Sequence, residues 1–133
     1  MRYLLDTHYL LWALADTKKL SKKIKEIITS PENQIIISTI SFWEISLKSS
    51  LGKLTITGFS TEDLPDACEQ MGFNIEPLSA TDSSTYHQLK ATFHKDPFDR
   101  MLIWQAICND FTLISADINV KKYASEGLRI LED

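Results

Sequence analysis

The chain has 133 residues, is 44% hydrophobic with only four glycines and four prolines, and carries a formal net charge of −4. This composition predicts one globular domain, residues 1–133, with a full hydrophobic core, and it excludes a low-complexity or repeat protein. The longest apolar run near the start, 9–15, is too short to cross a membrane, and the two cysteines lack a CxxC spacing, so we expect a cytoplasmic protein without a disulfide framework or structural zinc.

The first half of the chain alternates strand-like and helix-like segments. In chain order, the pattern predicts a strand at 2–5, helices at 7–14 and 21–30, a strand at 34–39 and a helix at 41–51. The isoleucine run at 35–37 is typical of a strand that is buried on both faces. Ser21 can cap the second helix, and Gly52 is placed to end the third helix in the left-handed conformation.

The second half continues the alternation after a loop or short ribbon at 53–60. The pattern predicts a helix at 61–71, a strand at 73–76, helices at 81–93 and 97–108, a strand at 112–115, a short helix at 118–125 and a closing strand at 128–131. Because strands alternate with helices and the apolar runs in the strands are unbroken, the predicted fold is α/β. Its architecture is a three-layer α/β/α sandwich with a central, mostly parallel sheet.

Four acidic residues fall where such a sheet gathers ligand-binding groups. Asp6 ends the first predicted strand, and Asp117 comes just after the strand at 112–115. Glu44 and Asp99 lie in the first turns of predicted helices. In open parallel α/β sheets, ligands bind at the carboxyl ends of the strands. We therefore expect four carboxylates from distant segments to meet at one edge of the sheet.

Each acid also has a structural interpretation at a helix start. Asp6 and Asp117 can cap the helices that follow them. Glu44 has the spacing of a capping box with Ser41, and Asp99 is an acid in a first turn, where the helix dipole favours it. A cap, however, needs one acid and gains nothing from three others nearby. Convergence therefore favours a site over four separate caps.

Electrostatic repulsion indicates what such a site would hold. Two carboxylates about 4 Å apart repel by about 4 kcal/mol at an effective dielectric of about 20, a large part of a typical stability of about 5–15 kcal/mol. Protonation or a bound cation must offset this, and hard divalent cations prefer sites built from several carboxylate oxygens. The net charge of −4 argues against a nucleic-acid partner at first, but with these four acids neutralised by metal the remainder of the chain is neutral.

The acids lie within four sequence blocks that occur in a fixed order and cover nearly the whole chain. The blocks are Asp6-Thr7-His8-Tyr9-Leu10-Leu11-Trp12, then Ser41-Phe42-Trp43-Glu44-Ile45 with Lys48 and Gly52-Lys53-Leu54, then His94-Lys95-Asp96-Pro97-Phe98-Asp99-Arg100-Met101-Leu102-Ile103, and finally Ile114-Ser115-Ala116-Asp117. They resemble the signature blocks of PIN-domain ribonucleases, in particular those of the VapC-type toxins of bacterial toxin–antitoxin modules.

This resemblance implies an Mg²⁺- or Mn²⁺-dependent endoribonuclease that hydrolyses RNA phosphodiester bonds. It also implies a cognate antitoxin, whose C-terminal segment occupies the active-site groove, and a homodimer. Apolar residues of the early helices, Trp12, Ile24 and Ile28, are the predicted antitoxin contacts. The implied catalytic and metal-binding quartet is Asp6, Glu44, Asp99 and Asp117.

Polar residues near the acids are candidates for supporting roles: Thr7, Ser115, Lys48 and Arg100. The hydroxyls could orient a water molecule or a metal ligand, or serve only as helix-start hydroxyls. The basic side chains could hold phosphate, pair with a carboxylate, or belong to a solvated helix face. The histidines share no metal-ligand spacing and are predicted to lie on the surface or in loops: His8, His87 and His94.

Two other functions remain open from the residues alone. A receiver-like signalling module also gathers aspartates around Mg²⁺ at strand ends and accepts a phosphoryl group, but such modules usually carry adjacent acids after the first strand. Here Thr7 follows Asp6, and no obvious lysine follows the last strand. The other alternative is a non-catalytic binding protein whose acidic edge serves as a docking site for a partner.

Overall fold

Five strands form one parallel sheet in the computed structural model, which describes residues 1–58 and 60–131. The order across the sheet is β3-β2-β1-β4-β5, so the first strand of the chain is the central one, and every described strand pair is parallel. The predicted parallel sheet is therefore confirmed. The strands are β1 Arg2–Leu5, β2 Gln34–Ser38, β3 Asn74–Glu76, β4 Thr112–Ile114 and β5 Arg129–Leu131.

Helices cover both faces of this sheet. Side chains alternate between the faces of a strand, and accordingly Tyr3 and Leu5 of β1 pack in one core cluster while Leu4 packs in the other. Both faces are buried, which explains the unbroken apolar runs of the central strands. The helices are α1 Thr7–Ala15, α2 Lys22–Thr29, α3 Thr39–Ser50, α4 Leu64–Gln70, α5 Ala80–Thr85, α6 Pro97–Asn109 and α7 Ile118–Lys121.

The two core clusters divide the helices between the two faces. Helices α1, α2 and α4 contribute Leu10, Ile24 and Leu64 to the cluster that contains Leu5. Helices α6 and α7 contribute Leu102 and Val120 to the cluster that contains Leu4. The predicted three-layer α/β/α sandwich is therefore confirmed.

Two predicted helices are shorter than expected, because a 3₁₀ turn takes the place of one end of each. The segment 61–71 is a 3₁₀ turn followed by α4, and the segment 118–125 is α7 followed by a 3₁₀ turn. Gly52 adopts a φ of 70° just after α3, as predicted for a residue that ends a helix. Of the predicted loop or ribbon, the described part, 53–58 and 60, forms no strand, and Phe59, like Glu132 and Asp133, lies outside the described residues.

The predicted helix at 81–93 is wrong beyond its first turns. After α5 and a 3₁₀ turn at Tyr86–Gln88, the chain leaves the helical path. The Arg100 guanidinium explains this departure because it donates to the carbonyl oxygens of Leu89 at 2.9 Å and Ala91 at 2.6 Å. These carbonyls are therefore bound to a side chain of α6 instead of accepting along a continued helix. The segment between α5 and α6 is a loop fixed by side-chain contacts.

The start of α3 also differs from the prediction, and the difference changes the interpretation of Glu44. The helix begins at Thr39, with the Ser38 hydroxyl accepting from the Ile40 N–H at 3.1 Å as its cap. Ser41 and Glu44 consequently lie inside the helix, and both are buried. The capping-box interpretation of Ser41 and Glu44 is therefore wrong.

Two expectations from composition can be compared with the fold. Within the described ranges, no helix combines the length and the hydrophobicity that crossing a bilayer requires. Cys68 is buried, Cys108 is exposed, and both are free thiols, in agreement with the predicted lack of a disulfide framework.

Candidate metal centre

Three of the four predicted acids line one cleft at the carboxyl edge of the sheet. Asp6 directly follows β1 and Asp117 follows β4, and these two strands are neighbours in the sheet. Asp99 reaches the same place from the first turn of α6. The cleft has a volume of about 330 Å³ and is lined by Asp6, His8, Trp12, Asp99, Ala116 and Asp117.

Asp6 is at once a helix cap and a cleft residue. Its Oδ1 accepts the Tyr9 N–H at 2.9 Å and caps α1, while only 6% of the residue is exposed. Burial raises the pKa of Asp6, and the negative charge of Glu44 raises it further, although hydrogen bonds from Tyr9 and Ser115 act in the opposite direction. The two interpretations of Asp6 are therefore compatible, because capping occupies only one of its oxygen atoms.

Asp117 combines the same two roles in a more open environment. Its Oδ1 accepts the Asn119 N–H at 2.8 Å and caps α7, and its Oδ2 lies 2.9 Å from His94 Nε2. Partial burial opposes ionisation, but the hydrogen bonds from Asn119 and His94 outweigh it and hold the pKa of Asp117 below its ordinary value. Asp117 is the member of the cleft best suited to remain charged.

Asp99 does not cap α6, because Asp96 supplies the cap. Oδ1 of Asp96 accepts the N–H groups of Phe98 at 2.8 Å and of Asp99 at 3.1 Å, so Asp96 is the cap of α6. The Asp99 carboxylate is directed to the cleft instead. Burial, together with the negative charges of Asp96 and Glu44, raises the pKa of Asp99 to about 6.

Glu44 lies beside this cleft, held from two sides. Its Oε1 lies 2.6 Å from the Thr7 hydroxyl, and its Oε2 is paired with the Lys48 ammonium group one helical turn along α3. The Thr7 hydroxyl is also 3.0 Å from the hydroxyl of Ser41. The hydrogen bond to Glu44 raises the pKa of Lys48. Glu44 thus lines an adjoining pocket with Thr7 and Lys48, within electrostatic range of Asp6 and Asp99.

The two remaining candidates for supporting roles are Ser115, which contacts the acids, and Arg100, which contacts a loop. The Ser115 hydroxyl bonds the Asp6 side chain and accepts the Asp117 N–H at 3.2 Å, so it connects two acids of the cleft. The Arg100 guanidinium is directed elsewhere: it donates to the hydroxyls of Tyr86 at 2.7 Å and Tyr123 at 2.9 Å, besides the loop carbonyls. Its contacts fix a loop, and it does not lie on the acid cluster.

The sequence interpretation missed His94, whose side chain lies against two acids of the cleft. Nε2 of His94 lies 3.2 Å from Asp99 Oδ2 and 2.9 Å from Asp117 Oδ2. Among the described residues, these three side chains offer possible ligand atoms within 4.8 Å of one another. The only sequence signal was the position of His94 in the same block as Asp99. The sequence separation of His94 from the acids resembles no metal-ligand motif. The loop before α6 is what places its side chain beside them.

The donor set of the cleft fits a hard divalent cation. Asp6, Asp99 and Asp117 contribute carboxylate oxygens, which Mg²⁺ and Mn²⁺ prefer. The raised pKa values of Asp6 and Asp99 indicate that ionising these carboxylates together is unfavourable. A cation among them would offset that cost, because it favours the charged form of each acid.

Comparison with known proteins bears on the same residues, because a family model for the PIN domain matches residues 3–126. The chain belongs to the PIN domain family. PIN domains are nucleases that generally use divalent metal ions. A comparison with curated proteins found no match.

Solved structures support the fold of this PIN domain. A chain of VapBC2 from Rickettsia felis, bound to a promoter DNA fragment, gives a TM-score of 0.68 at 19% identity over 98% of both chains. VapBC-1 from nontypeable Haemophilus influenzae gives 0.69 at 18% identity, covering 99% of this chain and 98% of that one. FitAcB from Neisseria gonorrhoeae gives 0.64 at 16% identity, covering 98% and 96%. At these identities the likeness shows the fold.

We predict that Asp99 makes the metal-free protein less stable as the pH rises. Its folded-state pKa of about 6 lies above the ordinary value of 3.8, so the folded state binds more protons between these values and stability is lost as the pH increases through them. Asp99→Asn imitates the protonated acid. Urea unfolding in EDTA should give equal stabilities near pH 4 and a variant more stable by on the order of 2 kcal/mol near pH 7.

The matched control for this measurement is Asp66→Asn, which changes an exposed aspartate of α4. Its stability should follow that of the wild type at both pH values. A wild type that is as stable as Asp99→Asn near pH 7 would show that ionising the Asp99 carboxylate costs no stability in the metal-free cleft.

Proposed function

We propose that this PIN domain is a metal-dependent endoribonuclease that acts in the cytoplasm as the toxin of a toxin–antitoxin pair. The observation that carries the proposal is the convergence of Asp6, Asp99 and Asp117 on one open cleft, with Glu44 beside it. Nothing in a helix cap requires this convergence. The PIN family match supports nuclease chemistry, and the likeness to VapBC and FitAB structures supports the toxin role.

Asp6, Asp99 and Asp117 are the residues that would hold Mg²⁺ or Mn²⁺. When bound, such an ion supplies a water nucleophile of lowered pKa and stabilises charge on the leaving oxygen of the phosphodiester. Asp6 is fixed by its cap to Tyr9 and by Ser115, so its position depends little on solvent. Asp117 and Asp99 are more exposed, at 38% and 25% of their side chains, and face the side from which RNA would enter.

Glu44 completes the predicted quartet through its charge. Both of its oxygen atoms are engaged, one by Thr7 and the other by Lys48. We assign direct ligation to the three aspartates of the cleft and give Glu44 the role of setting the local potential. Thr7 and Lys48 hold the buried Glu44 carboxylate in place, since each bonds one of its oxygen atoms.

The receiver-like alternative is disfavoured by the site itself. The residue after Asp6 is Thr7, whose hydroxyl is bound to Glu44, and a histidine lies against two acids of the cleft. The family match to the PIN domain also points to nuclease chemistry. A non-catalytic binding protein would share the acids of this cleft, and an activity measurement separates the two.

We predict that RNA cleavage requires a divalent ion and the Asp99 carboxylate. EDTA should stop cleavage, and Mg²⁺ or Mn²⁺ should restore it, because the uncompensated acids repel the phosphate backbone. Asp99→Asn should abolish cleavage without lowering metal-free stability, whereas the control Asp66→Asn should cleave as the wild type does. Full activity in excess chelator, or in Asp99→Asn, would contradict the metal mechanism.

An antitoxin is the proposed protein partner, and two clefts that share Trp12 support a binding position for it. Trp12 borders both the acid cleft and a second cleft of about 270 Å³, which is lined in part by Leu11, Lys19 and Ile56. An extended segment of a partner could therefore pass from the second cleft, whose lining mixes apolar and polar side chains, into the acid cleft. The predicted contact Ile24 is wrong, because it is fully buried in the core.

We predict that co-expression with the neighbouring reading frame yields a stable complex. Pull-down followed by mass spectrometry should identify a small partner, and Trp12→Ala should weaken its capture because Trp12 connects the two clefts. Expression of the wild type alone should arrest growth, while Asp99→Asn should not. A wild type that is harmless alone and captures no partner would contradict the toxin role.

We also propose a homodimer, formed through an apolar stripe on α3. Trp43, Leu47 and Leu51 follow one another at intervals of four residues and are 60%, 38% and 59% exposed. The Trp43 ring packs edge-on against Phe98 of α6, beside an apolar groove of about 190 Å³. Exposed apolar stripes of this kind are typical of subunit interfaces.

A charged substitution in the apolar stripe tests the dimer prediction. Light scattering should give twice the mass of one chain for the wild type and a single-chain mass for Trp43→Glu, because a buried unpaired carboxylate is costly at an interface. The control Met71→Glu places the same charge at an exposed residue after α4 and should stay dimeric. A monomeric wild type would contradict the proposal.

A further inference from the structure

The imidazole of His94 uses its two nitrogen atoms differently. Nδ1 lies 3.1 Å from the backbone nitrogen of Asp96, in hydrogen-bond geometry. A backbone N–H can only donate, so Nδ1 must accept and therefore carries no proton. The hydrogen bond on one ring nitrogen sets the tautomer of a neutral histidine, and the proton of this ring consequently sits on Nε2.

The Nε2–H group is directed to a carboxylate of the cleft. Its acceptor is Asp117 Oδ2 at 2.9 Å, and Asp99 Oδ2 lies 3.2 Å from the same nitrogen. A histidine nitrogen ligates a metal ion through a bare lone pair, and neither nitrogen offers one here. Nε2 holds its proton toward the acids, while the Nδ1 lone pair is occupied by the Asp96 N–H and faces away from them.

We propose that His94 is a positioning residue of the metal centre and not a ligand of the ion. Its Nε2–H donates to Asp117 and lies 3.2 Å from Asp99, and it thereby holds the two aspartates at a fixed separation across the cleft. Each carboxylate oxygen has more than one lone pair, so Asp117 can accept from His94 and still ligate a cation. The proposal rests on the proposed metal-dependent function.

The ring orientation that this role requires is fixed by buried neighbours. The backbone N–H of His94 donates to the Tyr123 hydroxyl at 3.2 Å, and Tyr123 is fully buried. Arg100 donates to the same hydroxyl at 2.9 Å and binds the carbonyl of Ala91 in the same loop. A flip of the ring would put Cδ2 and Cε1 in the places of Nδ1 and Nε2, so the Asp96 N–H would lose its acceptor and Asp117 would lose its donor.

This inference gives Arg100 a function at a distance from the acids. Its guanidinium holds the loop between α5 and α6 through the carbonyls of Leu89 and Ala91 and the hydroxyl of Tyr123. That loop delivers His94 to the cleft, and α6, on which Arg100 itself lies, delivers Asp99. Arg100 thus connects the two segments that meet at the Nε2–H.

The tautomer is read directly by ¹⁵N NMR of the imidazole nitrogen atoms in the full-length protein at neutral pH. In the metal-free protein we expect a protonated Nε2 and a bare Nδ1 for His94. On saturation with Mg²⁺ we expect Nε2 to keep its proton, because it donates to Asp117 and does not bind the ion. A bare Nε2 before Mg²⁺ is added, or loss of its proton on addition, would overturn the proposal.

Variants test the donor role by Mn²⁺ titration followed by electron paramagnetic resonance. His94→Ala should weaken Mn²⁺ binding by about 10- to 100-fold, the usual range for groups that orient metal ligands. His94→Gln should recover part of this loss, because its amide can donate to Asp117. The control His87→Gln changes an exposed histidine of the preceding 3₁₀ turn and should bind Mn²⁺ as the wild type does.

The outcomes separate this proposal from the proposed function. Wild-type Mn²⁺ affinity in His94→Ala, or a Gln variant no better than the Ala variant, would overturn the positioning role even if RNA is cleaved. A wild type that binds neither Mn²⁺ nor Mg²⁺ would end the proposed metal-dependent function. In that case the tautomer in the metal-free protein still decides whether His94 donates to Asp117.

Discussion

Repulsion among carboxylates at one edge of the sheet is the constraint on which the rest of this site depends. Parallel strands end at the same edge, so residues that follow β1 and β4 lie close together even when they carry like charges. Burial, and after it the negative charges of nearby acids, raise the pKa values of Asp6 and Asp99, and these raised values record the energetic cost. The surrounding residues can be understood by how they reduce it: Ser115 and Tyr9 donate to Asp6, and Lys48 pairs with Glu44.

The same acids stabilise the fold and form the candidate site. Asp6 and Asp117 each use one oxygen to cap a helix, which leaves the second oxygen for the cleft. Asp99 reaches the cleft without such a role because Asp96, three residues earlier, supplies the cap of α6. Capping also explains the accuracy of placement, since a carboxylate bound to its own backbone has little rotational freedom. Structural and functional interpretations of a helix-start aspartate are therefore compatible.

Much of this arrangement could be predicted from local sequence patterns. Apolar runs and helix signals depend on neighbouring residues, so the five strands, the layers and the sheet-edge positions of Asp6 and Asp117 were predictable. The segment after α5 was not, because its path is fixed by Arg100, which lies in a later helix. The role of His94 could not be predicted for the same reason, because the position of its loop depends on this long-range contact. The start of α3 was misplaced because Ser38 and Ser41 are both good caps, and only packing distinguishes them.

The central position of β1 has a consequence for synthesis on the ribosome. Tyr3 of the first strand pairs with Ile35 on one side but with Thr112 on the other, so one edge of β1 has no partner until more than a hundred further residues have been made. Asp6 and Asp117 cannot meet before β4 takes that edge. A nascent chain therefore makes Asp6 early but cannot assemble the cleft until β4 and the residues that follow it have emerged, so the candidate site forms only late in the synthesis of this domain.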